Sequence, residues 1–262
     1  MKSSTPVGSL TTELPQAGGS QVVKVQFKLR QMILAGELAG DARIAELLIV
    51  EKLGVSRTPI RAALMRLELE GLLQALPNGG YAARTFSERD VADAIELRGT
   101  IEGMAARLAA ERGVAPVVLA EARECLQQIN ELLREAALND DAFSRYGVLN
   151  EKFHGLLGEL SGSAFMGREL ARAASLPFAS PSAFVVVQAS SPQARDRLVV
   201  AQDQHCQVLD AIENREGARA EAIMREHSRL AQRNLREAVR NPRHDQVPGV
   251  RLIRRRNIDR NE

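Results

Sequence analysis

Residues 46–71 read ELLIVEKLGVSRTPIRAALMRLELEG, and this stretch decides the fold of the first part of the chain. Apolar residues recur at helical spacing up to Gly54, and the pattern starts again after the turn and ends at Gly71. Two short helices joined by a tight, glycine-containing turn are typical of a helix-turn-helix. Ser56 is predicted to cap the second helix, and Pro59 lies in its first turn, where a missing N–H costs nothing.

The start of that second helix carries the residues expected to read DNA. In a DNA-binding helix-turn-helix, the N-terminal residues of the second helix reach base edges in the major groove. Here they are Arg57, Thr58 and Arg61, preceded by Ser56. Each arginine can pair with guanine in a bidentate manner, worth about 1–3 kcal/mol of discrimination. An ordinary helical hairpin with solvated arginines fits the same pattern, so the next residues matter.

Two short extended pieces follow, at residues 72–76 and 81–84, on either side of a Pro-Asn-Gly-Gly turn. This arrangement predicts a β-hairpin. A hairpin directly after a recognition helix makes a winged helix. Its tip, Gly79 and Gly80, belongs to the predicted DNA-contacting set.

The composition favours a soluble, mainly α-helical protein, with 45% hydrophobic, 26% charged and only 3% aromatic residues. No apolar stretch approaches the roughly 20 residues that span a bilayer. The N-terminus lacks the apolar core of a signal peptide. Two cysteines, Cys125 and Cys206, indicate no disulfide framework. We therefore expect a cytoplasmic protein with no membrane partner.

Charge and sequence pattern divide the chain into four parts. Residues 1–18 are predicted to be a disordered N-terminus. Residues 19–86 carry 9 Lys/Arg and 6 Asp/Glu and form the winged helix-turn-helix. Residues 87–240 are acidic overall and are predicted to form an all-helical bundle of six or seven helices. Residues 241–262 are predicted to be a basic, flexible tail. A basic head on an acidic domain fits a DNA-binding protein.

Within the bundle, Ser87 is predicted to cap the first long helix, and residues 176–191 are predicted to form a buried, irregular lid over a pocket. Further helices are predicted at about residues 116–138, 140–160, 164–174, 192–214 and 216–239.

Three histidines of the bundle have an informative spacing. His205 lies nine residues before, and His227 ten residues after, the predicted turn at residues 214–217. Both distances are about 14–15 Å of helix, so the two rings can stand at the same height on facing helices. His154 lies on a third helix, with Asn150 one turn earlier on the same face. Three imidazoles and one oxygen suit Zn, Ni, Mn or Fe. Three surface or hydrogen-bonded core histidines remain the alternative.

Arg98 and Glu102 share one face of a helix, and an intrahelical ion pair is one of two equal interpretations of this spacing. A metal-dependent enzyme fused to a DNA-binding head is the alternative function. The chain has no HExxH motif, however, and Glu151 is predicted to lie on the wrong side of its helix from His154 to act as a base. A structural DNA-binding protein without an effector is a third hypothesis.

Several strings match one known family. They are GELAG at 36–40, LGVSRTPIR at 53–61, AL at 63–64, EGL at 70–72 and ELRGTIE at 96–102. Across roughly residues 20–240 the chain resembles the GntR family of bacterial transcription regulators, in its FadR-type subfamily with a C-terminal FCD domain. Two departures are Leu47, where the family often has an arginine, and Ala62, where it often has an acid.

This resemblance implies a ligand-responsive regulator, not an enzyme, that binds operator DNA as a homodimer and is usually a repressor. FCD domains commonly hold a divalent transition metal, and the matching ligands here are Asn150, His154, His205 and His227. The resemblance also implies that Arg98, with Glu102, holds a small carboxylate effector. The lid segment resembles that of the branch that senses aromatic acids such as vanillate.

Overall fold

The computed structural model describes residues 16–38, 43–135, 139–182, 194–240 and 249–254. In these residues the chain is mainly α-helical, with a winged helix-turn-helix followed by a helical bundle, and the predicted fold class is confirmed. The helices are α1 Gln16–Leu34, α2 Glu46–Leu53, α3 Arg57–Leu69, α4 Glu88–Arg112, α5 Pro116–Leu133, α6 Asp140–Leu160, α7 Ala164–Ser175, α8 Ala194–Glu213 and α9 Gly217–Arg240. The strands are β1 Leu73–Ala75, β2 Tyr81–Ala83, β3 Phe86–Ser87 and β4 Ile253–Arg254.

The head is built from α1, α2, α3 and the wing. Gly54 closes α2 with a left-handed backbone (φ 64°), which lets the chain turn sharply into α3. Ser56 occupies the predicted N-cap position, although its side chain makes no capping hydrogen bond. Strands β1 and β2 pair antiparallel as predicted, with Leu73 opposite Ala83.

The bundle begins with a well-capped helix and a close helix pair. The Ser87 side chain accepts from the Asp90 backbone N–H, and the Asp90 carboxylate accepts from the Ser87 backbone N–H, which completes a capping box. Helix α4 then packs along α9, the most extensive contact between two elements. A Cβ added at Gly99 would lie 2.3 Å from the Cβ of Ser228, so only glycine permits this approach.

Two hydrophobic cores are present in the described residues. One lies inside the bundle and includes Phe153 and Tyr146. The other combines the head with the N-terminal end of α4 and the C-terminal end of α9, and it includes Leu64, Ile95 and Leu235. The head is therefore packed onto the bundle through a shared apolar core.

The prediction of a flexible tail does not hold for residues 249–254. Residues Val250, Leu252 and Ile253 are buried in the core that contains the head. Strand β4 pairs in parallel with β3, which places Ile253 opposite Phe86. The apolar side chains of this short segment are buried against the head, which is distant in sequence. The free energy gained by this burial orders the segment despite the basic, proline-containing sequence around it. The remainder of the predicted tail lies outside the described residues, and so do residues 1–15 of the predicted disordered N-terminus 1–18. Residues 16–18 of that N-terminus form the start of α1 instead.

The predicted lid is described for residues 176–182 only, which continue from α7 in an irregular path against α6. Residues 183–193 lie outside the described residues. Among the described helices, none is sufficiently long and apolar to cross a membrane.

Candidate metal centre, effector cavity and DNA-binding face

Three histidines from three helices converge in the interior of the bundle. His154 on α6, His205 on α8 and His227 on α9 are all buried. One ring nitrogen of each lies within 4.8 Å of one nitrogen of each of the other two. The Nε2 atoms of His205 and His227 are 3.1 Å apart. The predicted equal height of these two rings on a helical hairpin is what brings them together.

The outward-facing nitrogen of His205 is held by a glutamine whose orientation is fixed. The amide nitrogen of Gln202 donates to the backbone carbonyl of Leu126 at 3.0 Å and to Asn130 Oδ1 at 3.1 Å. Its oxygen therefore faces His205, with Oε1 3.2 Å from Nδ1. Because this oxygen can only accept, Nδ1 of His205 carries the proton and Nε2 does not.

The other two rings are oriented in the same manner. Nδ1 of His227 lies 3.1 Å from Gln204 Oε1, and Nδ1 of His154 lies 2.7 Å from Glu102 Oε1. An Arg98 nitrogen also lies 3.4 Å from Nδ1 of His154, but an arginine nitrogen cannot accept a hydrogen bond. The Glu102 carboxylate is therefore the acceptor for Nδ1 of His154. Each imidazole thus directs its Nε2 atom into the cluster.

This arrangement fits a metal ion. His154 Nε2 is buried without a hydrogen-bond partner among the described residues, and the Nε2 atoms of His205 and His227 present lone pairs to each other. Lone pairs that converge repel one another unless a cation or a proton lies between them. Two nitrogens bound to one tetrahedral zinc at about 2.0–2.1 Å stand roughly 3.3–3.4 Å apart, and the observed 3.1 Å is a few tenths of an ångström shorter. Oxygen partners behind ligating histidines are usual at metal sites.

Burial keeps two of the rings neutral. It lowers the pKa of His205 well below its usual range, and the charges of His154 and Arg98 act in the same direction. Burial likewise lowers the pKa of His227. For Glu102, burial acts to raise the pKa, but Arg98 and His154 outweigh it and hold this pKa below its usual range. A neutral imidazole and an ionised second-layer carboxylate are the states that metal binding requires.

Asn150 is buried one turn before His154, and its amide orientation follows from its neighbour. The Ser182 hydroxyl donates to the Gly147 carbonyl at 2.9 Å, so its oxygen is left to accept. The Asn150 amide nitrogen therefore donates to Ser182 Oγ, at 3.2 Å. The Asn150 Oδ1 atom is thus the end of the amide that a ligand can use, and its role as fourth metal ligand stays a prediction.

A cavity of about 390 Å³ opens beside the histidines, a volume within the range of small-molecule sites. Arg98, Asn150 and His227 line it on the cluster side, together with Tyr146. The Nε atom of Arg98 is buried with no hydrogen-bond partner in the described part of the chain. The predicted effector contact through Arg98 therefore has a cavity next to it and stays a prediction.

Glu102 is placed differently from Arg98. Both Glu102 oxygens accept from Arg98 Nη1, at 2.7 and 2.8 Å, and one of them also faces His154. The intrahelical ion pair is thus present, fully buried. Glu102 does not line the 390 Å³ cavity but a second cavity of about 400 Å³, which reaches Arg30 of the head. Its effector contact remains a prediction, and the observed contacts are those of a residue that orients His154.

The predicted DNA-reading residues stand together on an exposed face of the head. Arg57 and Thr58 are exposed at the start of α3, next to Ser56. Arg61 is also exposed, and its Nε donates to Glu46 Oε2 at 2.9 Å. The wing places Gly79 and Gly80 in left-handed conformations at its tip. These placements suit the predicted contacts, which remain untested.

Two kinds of functional candidate escaped the sequence interpretation. Arg43 lies over the wing tip, where a Cβ added at Gly80 would be 2.7 Å from its Nε. The backbone bridge between Ile44 and Tyr81 puts it there. Gln202 orients His205 and Gln204 orients His227. The only sequence signal for these roles is that Gln202 lies three residues before His205 and Gln204 directly before it.

With this geometry known, comparison with known proteins identifies the family. Residues 93–230 match the model of the FCD domain, and residues 21–82 match that of the bacterial regulatory proteins of the gntR family. The chain belongs to the GntR family and carries an FCD domain. The helix-turn-helix lies in the part of the chain that matches the gntR family model, and the three histidines lie in the part that matches the FCD domain.

Similar proteins bear regulator names. An "Uncharacterized HTH-type transcriptional regulator in unstable DNA locus" of Streptomyces ambofaciens is 39% identical over 140 residues, which is 53% of this chain and 55% of that protein. The "Uncharacterized HTH-type transcriptional regulator YdhC" of Bacillus subtilis (strain 168) is 32% identical over 138 residues, 51% of this chain and 58% of that protein. The chain therefore spans little more than half the length of these curated relatives. Family and relatives alike are named as transcriptional regulators, not as enzymes.

Among solved structures, Escherichia coli McbR/YncC has the same fold. The superposition covers 83% of this chain and 97% of that one, with a TM-score of 0.62 and 19% sequence identity. At this identity the likeness concerns the fold alone.

Proposed function

We propose that this protein is a ligand-responsive transcription regulator that binds operator DNA as a homodimer and responds to a small carboxylate held beside a metal ion. It acts as a repressor that the effector releases. The observation that carries the proposal is the combination, in one chain, of a winged helix-turn-helix and a cluster of three oriented imidazole rings whose nitrogens converge beside a cavity.

The metal is a divalent transition ion, Zn, Ni, Mn or Fe, held by His154, His205 and His227. Asn150 is the fourth ligand through Oδ1, since its amide nitrogen is occupied by Ser182. A neutral amide leaves the site with one more positive charge than a carboxylate would. An anionic effector is therefore favoured, because its carboxylate can approach both the ion and Arg98. Glu102 supports this site by orienting His154 and by neutralising Arg98.

Operator recognition falls to Arg57, Thr58 and Arg61, with Ser56, Gly79 and Gly80 positioned to approach the DNA backbone. A homodimer is proposed because one head contacts few base pairs, and two symmetric half-sites double the specificity. Aromatic acids such as vanillate are the first effectors to examine, because the lid sequence resembles that of the corresponding branch.

Elemental analysis of protein purified without an affinity tag tests the metal site. We expect close to one metal ion per chain in the wild type and none in His154→Ala or His205→Ala. The matched control is His244→Ala, which removes the fourth histidine of the chain and should leave the metal content unchanged. Equal metal content in all four proteins would show that the ligand set is wrong.

A thermal-shift screen against small carboxylic acids tests the effector. A ligand present at 100 times its dissociation constant stabilises the fold by about 2.7 kcal/mol, which is a readily measured shift. Arg98→Lys keeps the charge that faces Glu102 but removes the guanidinium fork, so it should abolish the response to the acid. A response that persists undiminished in this variant would place the effector elsewhere.

A further inference from the structure

Residues 176–182 contact both sides of the histidine cluster. Pro181 lines the 390 Å³ cavity and also the second cavity beside Glu102 and His154. Ser182 is tied to α6 through the Gly147 carbonyl and the Asn150 amide. A change at the metal or in the cavity that moves the Asn150 amide therefore acts directly on this segment.

Four residues before Ser182, the same segment reaches the head. The Phe178 ring packs edge-on against Phe86 of β3, with centroids 5.6 Å apart. It also covers Gly249, where an added Cβ would lie 2.7 Å from the Phe178 ring and 3.0 Å from the Leu34 side chain. Phe178 has a φ of 63°, a left-handed conformation that a bulky residue rarely adopts. Strain of this kind persists where surrounding contacts determine it.

The segment 249–254, here called the strap, links these contacts to the first helix of the head. The Gly249 backbone N–H donates to the carbonyl of Leu34, the last residue of α1, at 2.7 Å. Strand β4 of the strap pairs with β3, which is the connection between the wing and α4. The lid, the interdomain connection and the end of α1 thus meet around Phe178 and the strap.

We propose that Phe178 and the strap transmit the state of the metal and effector site to the DNA-binding head. When the metal and effector site is occupied, the hydrogen bond from Asn150 to Ser182 changes. The segment 176–182 then moves Phe178. The strap moves with β3, so that the head shifts against the bundle. The physical requirement is an element with two arrangements that the ligand stabilises unequally, and the irregular lid satisfies it better than the packed α4–α9 pair. This inference rests on the proposed function.

Hydrogen–deuterium exchange of the full chain tests it, with Zn²⁺ alone as the probe after removal of metal by a chelator. In the wild type, Zn²⁺ should slow exchange both at the histidines and in residues 249–254, by about tenfold or more. In Phe178→Gly, slowing at the histidines should persist while slowing in the strap is lost. Glycine suits the left-handed backbone, so this variant removes the ring and its contacts with Phe86 and Gly249 without straining the turn. Phe165→Ala, which truncates an exposed ring on α7, is the matched control and should behave as the wild type.

Zn²⁺ that protects the histidines but not the strap in the wild type would overturn the transmission, as would a strap response retained in Phe178→Gly. Absence of any Zn²⁺ binding would instead contradict the proposed metal site. The transmission is then decided on metal-free protein by Ser182→Ala, which releases the lid from Asn150. Faster exchange in residues 249–254 supports the linkage, and a change confined to residues 139–182 refutes it.

Discussion

The histidine cluster and the proposed DNA-reading face of α3 both gather polar side chains, but they are built in opposite ways. In the cluster, each ring is buried and each Nδ1 has a fixed partner on a neighbouring side chain. On the head, Arg57 and Thr58 are exposed, and the exposed Arg61 side chain forms an ion pair with the partly buried Glu46. The buried side chains are held in place by their neighbours, whereas the exposed ones can still adjust to a binding partner. Substitutions should therefore affect the fold in the first region and only binding in the second.

The largest expected effect is that of Glu102→Gln. This change leaves the buried Arg98 without its counter-charge, and breaking a buried ion pair costs about 3–5 kcal/mol. Urea unfolding of metal-free protein measures it. The matched control is Glu111→Gln in the same helix, whose contact with Arg107 is 3.8 Å long and solvent-exposed, so that it should cost less than about 1 kcal/mol. Equal losses in the two variants would contradict the contrast between buried and exposed pairs.

The next effect concerns binding without loss of stability. Arg57→Ala combined with Arg61→Ala should weaken binding to DNA from the gene's own upstream region by about 30-fold or more, from about 1–3 kcal/mol per lost bidentate pair. Fluorescence anisotropy measures it. The melting temperature should stay within a degree or two of the wild type because both side chains are exposed. Arg66→Ala, at the far end of the same helix, controls for charge alone. A specific complex that survives in the double variant would refute the assigned reading residues.

A pH dependence should separate the two regions further. Because the folded-state pKa values of His205 and His227 are lowered, the unfolded chain binds more protons in acid. The stability of metal-free protein is thus fully present above pH of about 6.5 and falls below it, by up to about 1.4 kcal/mol per histidine per pH unit. Urea unfolding at several pH values measures this. His205→Gln with His227→Gln should flatten the profile, while His244→Ala should not. An unchanged profile in the double variant would contradict the assignment.

The smallest expected effect is that of Glu46→Ala. It frees Arg61 from an exposed ion pair worth no more than about 1 kcal/mol. Affinity for DNA should therefore rise by about fivefold or less in the same anisotropy assay, with no change in stability. A loss of affinity instead would indicate that Glu46 positions Arg61 for the operator.

Sequence reasoning predicted the features that depend on local pattern. The turn at Gly54, the wing and the capping box at Ser87 all follow from short-range rules, and all three are present. The convergence of His205 and His227 was predictable because two residues equally distant from the turn of a helical hairpin lie opposite each other on the two helices.

Contacts set by distant segments could not be read in this way. Strand β4 pairs with Phe86–Ser87, and its few apolar residues give no periodicity that names a partner so far away in the chain. The role of Gln204 depends on a contact across two helices, to His227. Glu102 was predicted to form an intrahelical ion pair or to contact an effector, and its complete burial was not foreseen because burial depends on how closely α4 approaches its neighbours.

The pairing of β3 with β4 also bears on synthesis. The core of the head includes Val250, Leu252 and Ile253, which are made after the whole bundle. On the ribosome, the head therefore lacks part of its interior until residue 254 has left the exit tunnel, even though its three helices were translated first. We expect the head of a nascent chain that is stalled before the strap to be less stable than the head of the finished chain. Such a head should not bind DNA while the polypeptide is still being made.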